Sequence, residues 1–221
     1  MKSVLVIGLG RFGRHVAKTL NDLHHQVLAV DKNEKAVNAV LPFVEDALIG
    51  DSTDEDFLDT LGIRDFDVAY VCIGDNFQSS LETTAYLKEK GAKMVVSRAA
   101  RDVHAKFLLR NGADEVVYPE RQMAQWAAIK FTSKRIIDFF NIDPDHGIFE
   151  VKVPDRWIGK TVSEVDVRKK YDINLLGVKK IEKDLILNIS PNMVFEDDET
   201  LLVLGNIKNV QKCFKLLKDF K

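Results

Sequence analysis

The chain has 221 residues, 46% hydrophobic and 30% charged, so it is long enough for one α/β domain of about 120 to 150 residues and a smaller second domain. A formal net charge of −2 without a basic tract argues against nucleic acid as a partner. Two cysteines do not make a disulfide framework, and no apolar stretch approaches the ~18 residues of a membrane span or resembles a signal peptide. We therefore expect a cytoplasmic protein.

The N-terminal segment pairs an apolar run, residues 4–7, with a glycine-rich turn. Gly8 allows a sharp turn after the strand, Gly10 leaves room for a phosphate at the backbone, and Gly13 lets the next helix pack closely. The N-terminus of that helix presents free amide groups that favour an anion. Arg11 lies inside the turn, where we expect a phosphate contact; the alternative is a solvated surface residue.

A second apolar run, residues 27–30, ends in Asp31, at the usual position for a carboxylate that accepts hydrogen bonds from ribose hydroxyls. The same carboxylate would repel a 2′-phosphate, which favours NAD-type or adenine nucleotides over NADP. Lys32 beside it weakens that preference. The alternative is a glycine turn that binds nothing.

The first domain continues as alternating strands and helices, which predicts a parallel, doubly wound sheet of about six strands with a Rossmann-like order. The further predicted strands are Ala47–Gly50, Asp67–Gly74, Lys93–Ser97 and Glu115–Tyr118, and the predicted helices are Glu34–Leu41, Glu55–Leu61, Phe77–Lys90 and Val103–Asn111.

The carboxyl ends of successive predicted strands carry or precede Asp51, Ser52, Ile73, Gly74 and Arg98. Because ligands of such sheets bind beyond the carboxyl ends of the strands, these residues are expected around one crevice with the glycine turn. Each has an alternative interpretation. Asp51 and Ser52 could cap the next helix, and Ile73 and Gly74 could be an ordinary end of a strand. Arg98 could form an ion pair on the surface.

Pro119 opens a long apolar segment that predicts a crossover helix over Glu120–Asn141. We expect its apolar face to pack against a second subunit; the alternative is packing on its own domain. The predicted boundaries are a nucleotide-binding domain over residues 1–118, crossover and dimerisation helices over 119–141, and a smaller α+β domain over 142–221.

The C-terminal domain reads as a small mixed α+β unit. Strands are predicted at Ile148–Val153, Asn174–Ile181, Leu185–Asn188 and Thr200–Leu204, and helices near Ser163–Lys170 and over Ile207–Phe220. None of the five histidines falls in a metal-ligand or catalytic-triad spacing. A nucleotide pocket without catalytic residues indicates a nucleotide sensor, not an enzyme.

Several motifs together resemble the RCK domains, the regulators of potassium conductance. Residues 8–13, Asp31, residues 50–54 and residues 97–99 resemble the N-terminal lobe, and residues 159–162 and 203–205 the C-terminal lobe. The resemblance covers essentially the whole chain. The chain is most similar to the cytosolic gating subunits of bacterial Ktr/Trk-type potassium uptake systems.

This resemblance implies a subunit that forms dimers and an octameric ring. The ring would dock on the cytosolic face of an integral-membrane potassium translocator, so the protein would be peripheral at the inner face of the membrane through its partner. ATP and ADP, or NAD(H), would share one pocket and stabilise different ring shapes.

The resemblance also implies residue roles. Phosphates would be held by Gly8, Gly10, Arg11, Phe12 and Gly13, ribose by Asp31 with Lys32 beside it, and adenine by Asp51 and Ser52, while Ile73, Gly74 and Arg98 line the cleft. Ser52 departs from the alanine that relatives often carry. Glu120 matches a position near a divalent cation, and Arg168, Asn174 and Pro191 are candidates for binding cyclic di-AMP.

Two other functions remain open from the residues. The glycine turn and Asp31 also fit a small NAD-dependent oxidoreductase, although the second domain offers no proton donor set for hydride transfer. A nucleotide-bound scaffold without a link to potassium is the third possibility.

Overall fold

The computed structural model describes residues 1–180 and 184–215, which divide into two compact units at Gln122 and Met123. No helix in these described ranges is long and apolar enough to cross a bilayer.

The first unit contains a six-stranded, all-parallel sheet in the order β3-β2-β1-β4-β5-β6. Its strands are β1 (Ser3–Ile7), β2 (Gln26–Asp31), β3 (Asp46–Ile49), β4 (Val68–Val71), β5 (Val95–Arg98) and β6 (Glu115–Val117). Its helices are α1 (Arg11–Asp22), α2 (Glu34–Asn38), α3 (Glu55–Asp59), α4 (Phe77–Glu89) and α5 (Asp102–Arg110), followed by α6 (Pro119–Thr132). The doubly wound Rossmann-like sheet is therefore confirmed.

The central strand β1 is apolar at every buried position because both of its faces are covered. Val4 and Val6 pack in the core beneath α1 and α2, whereas Leu5 and Ile7 pack in the core beneath α3 and α4. Each such side chain contributes about 1.5 to 3 kcal/mol by leaving water. This double burial explains the continuous hydrophobic run in the sequence.

The second unit contains a five-stranded antiparallel sheet in the order β10-β9-β11-β8-β7. Its strands are β7 (Ile136–Asn141), β8 (His146–Lys152), β9 (Ile173–Lys180), β10 (Leu185–Ile186) and β11 (Glu199–Asn206), and its helices are α7 (Val162–Val165), α8 (Val167–Tyr171) and α9 (Ile207–Phe214). The mixed α+β character of this unit is as predicted. Ile181, at the end of one predicted strand, and residues 216–220 of the last predicted helix lie outside the described residues.

The predicted helix over Glu120–Asn141 is wrong beyond Thr132, where α6 ends. The Ser133 hydroxyl accepts hydrogen bonds from the amides of Arg135 and Ile136 and so turns the chain out of the helix. Residues 136–141 then form β7, which pairs with β8. The apolar spacing fitted a helix, but the β-branched and aromatic composition of this segment favours a strand.

Candidate functional site

A cavity of about 570 Å³ lies at the carboxyl ends of the parallel strands, next to β1, where the strand order reverses. Ligands of open α/β sheets bind at such a switch point. The wall contains these predicted residues: Gly8, Gly10, Arg11, Asp31, Lys32, Asp51, Ser52, Ile73, Gly74 and Arg98, together with Glu120.

Each glycine of the turn is glycine for a different structural reason. Gly8 has φ +90°, a left-handed backbone conformation that favours glycine. A Cβ at Gly13 would lie 1.9 Å from the carbonyl oxygen of Gly8, so this glycine is needed for helix packing. A Cβ at Gly10, the N-cap residue of α1, would have no protein atom within 4 Å and would point into open space. Gly10 therefore leaves room for something other than the protein.

Asp31 is fixed at the end of β2 by two backbone amides. The amide of Leu9 donates to Oδ2 at 2.6 Å, and the amide of Asn33 donates to Oδ1 at 2.8 Å. These hydrogen bonds hold the carboxylate beside the glycine turn, and each oxygen keeps a lone pair for another donor. The arrangement suits a pair of ribose hydroxyls.

Asp51 and Ser52 stand on the cavity wall and do not cap the next helix, because Asp54 accepts the capping hydrogen bonds of α3. Hydrogen bonds from the backbone and side chain of Thr53, and the nearby charge of Lys32, hold the pKa of Asp51 below its usual value. Ser52 is buried and its hydroxyl lies 2.8 Å from that of Thr83 on α4.

Arg98 extends from the end of β5 into the cavity and forms an ion pair with Glu120, in the first turn of α6. Arg98 therefore does both things that were predicted as alternatives: it pairs with a carboxylate, and it lines the cavity. A Cβ at Gly74 would lie 2.0 Å from an Nη atom of Arg98, so the guanidinium occupies space that the side chain of any other residue at position 74 would enter. Its Cζ also lies 6.0 Å from the Phe12 ring centroid.

Glu120 stays anionic in this setting. Desolvation acts to raise its pKa, but its own backbone amide, the hydrogen bond from Arg98 and the charges of Arg98 and Arg11 together outweigh this, so the pKa is lowered. Among the residues that the structure describes, no group of three or more His, Cys, Asp or Glu side chains could hold a metal ion. The divalent cation at Glu120 stays a prediction.

Sequence reasoning did not select Cys72, Asn76 and Ser79, which also line the cavity. Asn76 caps α4 by accepting from the amide of Ser79 at 3.0 Å. Asn76 lies between the end of a predicted strand and the start of a predicted helix. This position, typical of an N-cap, could have indicated that the start of α4 lines the cavity. Burial raises the pKa of the Cys72 thiol to about 12, against the opposing charge of Arg98, so the thiol is protonated at neutral pH.

Other predicted residues lie away from the wall. Gly13 and Phe12 pack inward, the latter against the core beneath α1. Arg168, Asn174 and Pro191 are exposed and lie on α8, on β9 and in the loop after β10, where the carbonyl of Pro191 accepts from the amide of Ser163. Their role in binding cyclic di-AMP stays a prediction.

Comparisons with known proteins agree with this architecture. The TrkA-N domain family matches residues 4–119, and the TrkA-C domain family matches residues 148–218. The Ktr system potassium uptake protein C of Bacillus subtilis is 37% identical over 211 residues, which cover 96% of this chain and 95% of the relative.

Two solved structures share the fold. The GsuK channel bound to NAD has a TM-score of 0.69 at 17% identity and covers 99% of this chain, which spans 40% of the GsuK chain. GsuK bound to ADP has a TM-score of 0.50 at 17% identity over 58% of this chain and 34% of that one. The two-domain match, and the 37% identity over 95% of the relative, show that this chain, with its TrkA-N and TrkA-C domains, belongs to the Ktr potassium uptake proteins.

Proposed function

We propose that this protein is the nucleotide-sensing regulatory subunit of a potassium uptake system. The observation that carries the proposal is the cavity at the glycine turn, where Gly10 leaves the first amides of α1 open and Asp31 is held beside them. Its volume of about 570 Å³ is in the range of small-molecule pockets. The relationship to a Ktr uptake protein supports the link to potassium.

The ligand that we propose is ATP or ADP, or NAD(H). Gly8, Gly10 and Arg11 would contact the phosphates, because a helix N-terminus with free amides stabilises an anion. Asp31 would accept from the ribose hydroxyls. Asp51 and Ser52 would flank the adenine at the end of β3. GsuK, whose fold this chain shares, has been solved with NAD and with ADP.

We propose binding without a chemical step, so the protein would not be an enzyme. The polar groups of the wall are already held by protein partners: Asp31 by two amides, Asp51 by Thr53 and Lys32, and Arg98 by Glu120. Such groups suit recognition of a ligand better than proton transfer. Sustained NADH oxidation with a small carbonyl substrate would instead favour the oxidoreductase.

The regulatory mechanism would be a shift between two assembly shapes. A ring of subunits, peripheral at the inner face of the membrane, would bind the translocator. ATP would bind the ring shape that favours the open translocator more tightly than the resting shape, whereas ADP would not. A coupling of about 1 to 3 kcal/mol per site is typical. Several sites together could supply the roughly 5.5 kcal/mol that a nearly complete shift requires.

The test is to identify the nucleotide that copurifies by mass spectrometry, with light scattering on the same sample. We then expect the Gly10→Val variant to weaken ATP binding by at least about tenfold in calorimetry, or about 1.4 kcal/mol, because its side chain fills the open space beside α1. Normal ATP binding by this variant would contradict the site. Normal growth of a deletion strain at low potassium would favour a scaffold unrelated to potassium.

Two further ligands belong to the same proposal. A divalent cation at Glu120 is supported by its exposed carboxylate at the rim of the cavity. Cyclic di-AMP would be bound by Arg168, Asn174 and Pro191 of the C-terminal unit, all of which are exposed. Calorimetry with each ligand alone tests both.

A further inference from the structure

A buried histidine, His104, connects two segments that continue into the wall of the cavity. The residue lies in the first turn of α5 and is only 1% exposed. Its Nδ1 accepts a hydrogen bond from the backbone amide of Ala100 at 3.3 Å, and its Nε2 lies 3.2 Å from the hydroxyl of Ser80 on α4. The imidazole ring therefore joins the loop after β5 to the start of α4.

The hydrogen-bond partners determine the protonation state of this ring. A backbone amide can only donate, so Nδ1 accepts and carries no proton. The proton of the neutral ring is then on Nε2, which donates to the Ser80 hydroxyl. A second proton on Nδ1 would point at the Ala100 amide and break that hydrogen bond. Both contacts together therefore require a neutral His104.

The surroundings of His104 also oppose a second proton. Desolvation lowers its pKa most, and the charges of Arg101, the N-cap residue of α5, and of Arg98, at the end of β5, lower it further. From α4 the ring meets the Ser80 hydroxyl and the Phe77 ring, whose centroid lies 4.9 Å away, and neither group is charged. No carboxylate of the described residues raises the pKa of His104 against these effects.

The hydrogen bond to Ala100 supplies a cap that α5 otherwise lacks. The N-cap residue Arg101 makes no side-chain hydrogen bond to the start of the helix. His104, at the third position of α5, instead reaches back to a backbone amide before the helix, much as the third residue of a capping box does. Because Ala100 is two residues beyond Arg98, this bond fixes the chain where β5 ends on the cavity wall.

The hydrogen bond to Ser80 fixes a second part of the wall. Ser79, the residue before Ser80, and the N-cap residue Asn76 both line the cavity at the start of α4. Phe77, between them, packs on the His104 ring and lies under the Arg101 guanidinium, with 5.2 Å from Cζ to the ring centroid. Movement of the imidazole therefore changes the spacing between the end of β5 and the start of α4.

We propose that His104 is a positioning residue for nucleotide binding, which in its neutral form holds the end of β5 and the start of α4 at the spacing that the nucleotide requires and on protonation releases them. The inference rests on the proposed nucleotide site, and His104 itself does not line the cavity. Because the bound state requires the neutral ring, nucleotide binding and protonation of His104 oppose each other. Acidification therefore weakens binding through this residue.

The experiment measures NAD binding by calorimetry between about pH 5 and pH 8, the range in which a histidine titrates and the NAD phosphates do not. Asparagine places an oxygen near the position of Nδ1 and does not titrate. His104→Asn is therefore expected to bind NAD within about threefold of the wild type at neutral pH. His104→Leu, which keeps the bulk and loses both hydrogen bonds, is expected to bind at least about fivefold more weakly.

The pH profile separates positioning from a purely structural role. On going from about pH 7.5 to about pH 5, the affinity of the wild type is expected to fall at least about twofold more than that of His104→Asn. The same comparison is made with ATP, because the titration of its terminal phosphate affects every variant equally.

Two control variants accompany the series. His25 accepts a hydrogen bond from the Lys2 amide through Nδ1, also at 3.3 Å, but before β1 and β2, at the end of the sheet opposite the cavity. His25→Asn is expected to keep both the affinity and the pH profile of the wild type. Leu108→Val removes a methylene from the fully buried core under α5 and is expected to lower the midpoint of thermal unfolding without changing the affinity.

The outcomes separate the two proposals. If the wild-type protein binds neither NAD nor ATP at neutral pH, the proposed function itself is wrong. If it binds one of them, but His104→Leu binds as tightly as the wild type or His104→Asn keeps the wild-type pH profile, the positioning role is overturned and the nucleotide site stands. If His104→Leu does not fold, the two pH profiles decide alone, because asparagine keeps an acceptor for the Ala100 amide.

Discussion

At the scale of single residues, the glycines of the turn serve different purposes: one allows close packing of the helix, and another leaves space for a ligand. A methyl group on Gly13 would overlap the Gly8 carbonyl oxygen at 1.9 Å, whereas a methyl group on Gly10 would contact no protein atom. Glycine is therefore required at position 13 for helix packing, whereas at position 10 it keeps the space beside the helix N-terminus open. The motif alone does not distinguish these two roles.

We predict that Gly13→Ala lowers the free energy of unfolding by about 2 kcal/mol or more, because overpacking at a backbone contact forces α1 away from β1. Gly10→Ala is the matched control and is expected to cost less than about 1 kcal/mol, the scale of a change at an N-cap. Urea denaturation followed by circular dichroism measures both. Equal destabilisation by the two variants would contradict the assignment.

At the scale of elements, α4 is unusual because its buried face carries hydroxyl groups. Ser80, Thr83 and Thr84 are fully buried. The Thr84 hydroxyl donates to the Ser80 carbonyl at 2.7 Å and lies 2.9 Å from the Ser97 hydroxyl on β5. Every buried hydroxyl must find such a partner, so α4 is held in one register against the strands whose ends form the cavity.

We predict that Thr84→Val and Ser97→Ala each lower the free energy of unfolding by about 1 to 2 kcal/mol, since each leaves a buried hydroxyl with fewer partners. The double variant should lose less than the sum, by about 0.5 to 1.5 kcal/mol, because both partners are then apolar. Thr60→Val, on the surface, is the control, expected within about 0.5 kcal/mol. Strict additivity of the two losses would refute the coupling.

At the scale of the whole molecule, the segment that links the two domains exposes more apolar surface than an isolated subunit requires. No residue of α6 is buried, and Met123 and Phe131 are 55% and 76% exposed. Phe140, on β7, is 68% exposed. We propose that a second copy of this chain covers these exposed apolar side chains in the proposed ring.

We predict that Phe131→Glu reduces the subunit count measured by light scattering, because a charge would then be buried at the contact between subunits. Its thermal unfolding as a separated subunit should change little, since the side chain is exposed there. Leu187→Glu, an exposed residue of the second unit outside α6, serves as the control. An unchanged subunit count for Phe131→Glu would remove α6 from the contact.

Much of the architecture was readable from the sequence. Buried parallel strands carry continuous apolar runs, so β1 and β2 were identified directly, and the glycine turn with Asp31 predicted the position of the cavity. The segment 136–141 was not readable, because its apolar residues fit both helical and strand periods over so short a stretch. The Ser133 turn and pairing with β8 decided in favour of a strand.

The sequence by itself therefore determined the fold class, the position of the cavity and the family, because these depend on local periodicity and on motifs of fixed spacing. Only the tertiary structure decided which side chains meet there. Arg98 and Glu120 are paired, Asn76 and Cys72 reach the wall, and Asp54 instead of Asp51 caps α3. These contacts join residues from separate strands and helices, and their distances are set by how the elements pack, which no local pattern encodes.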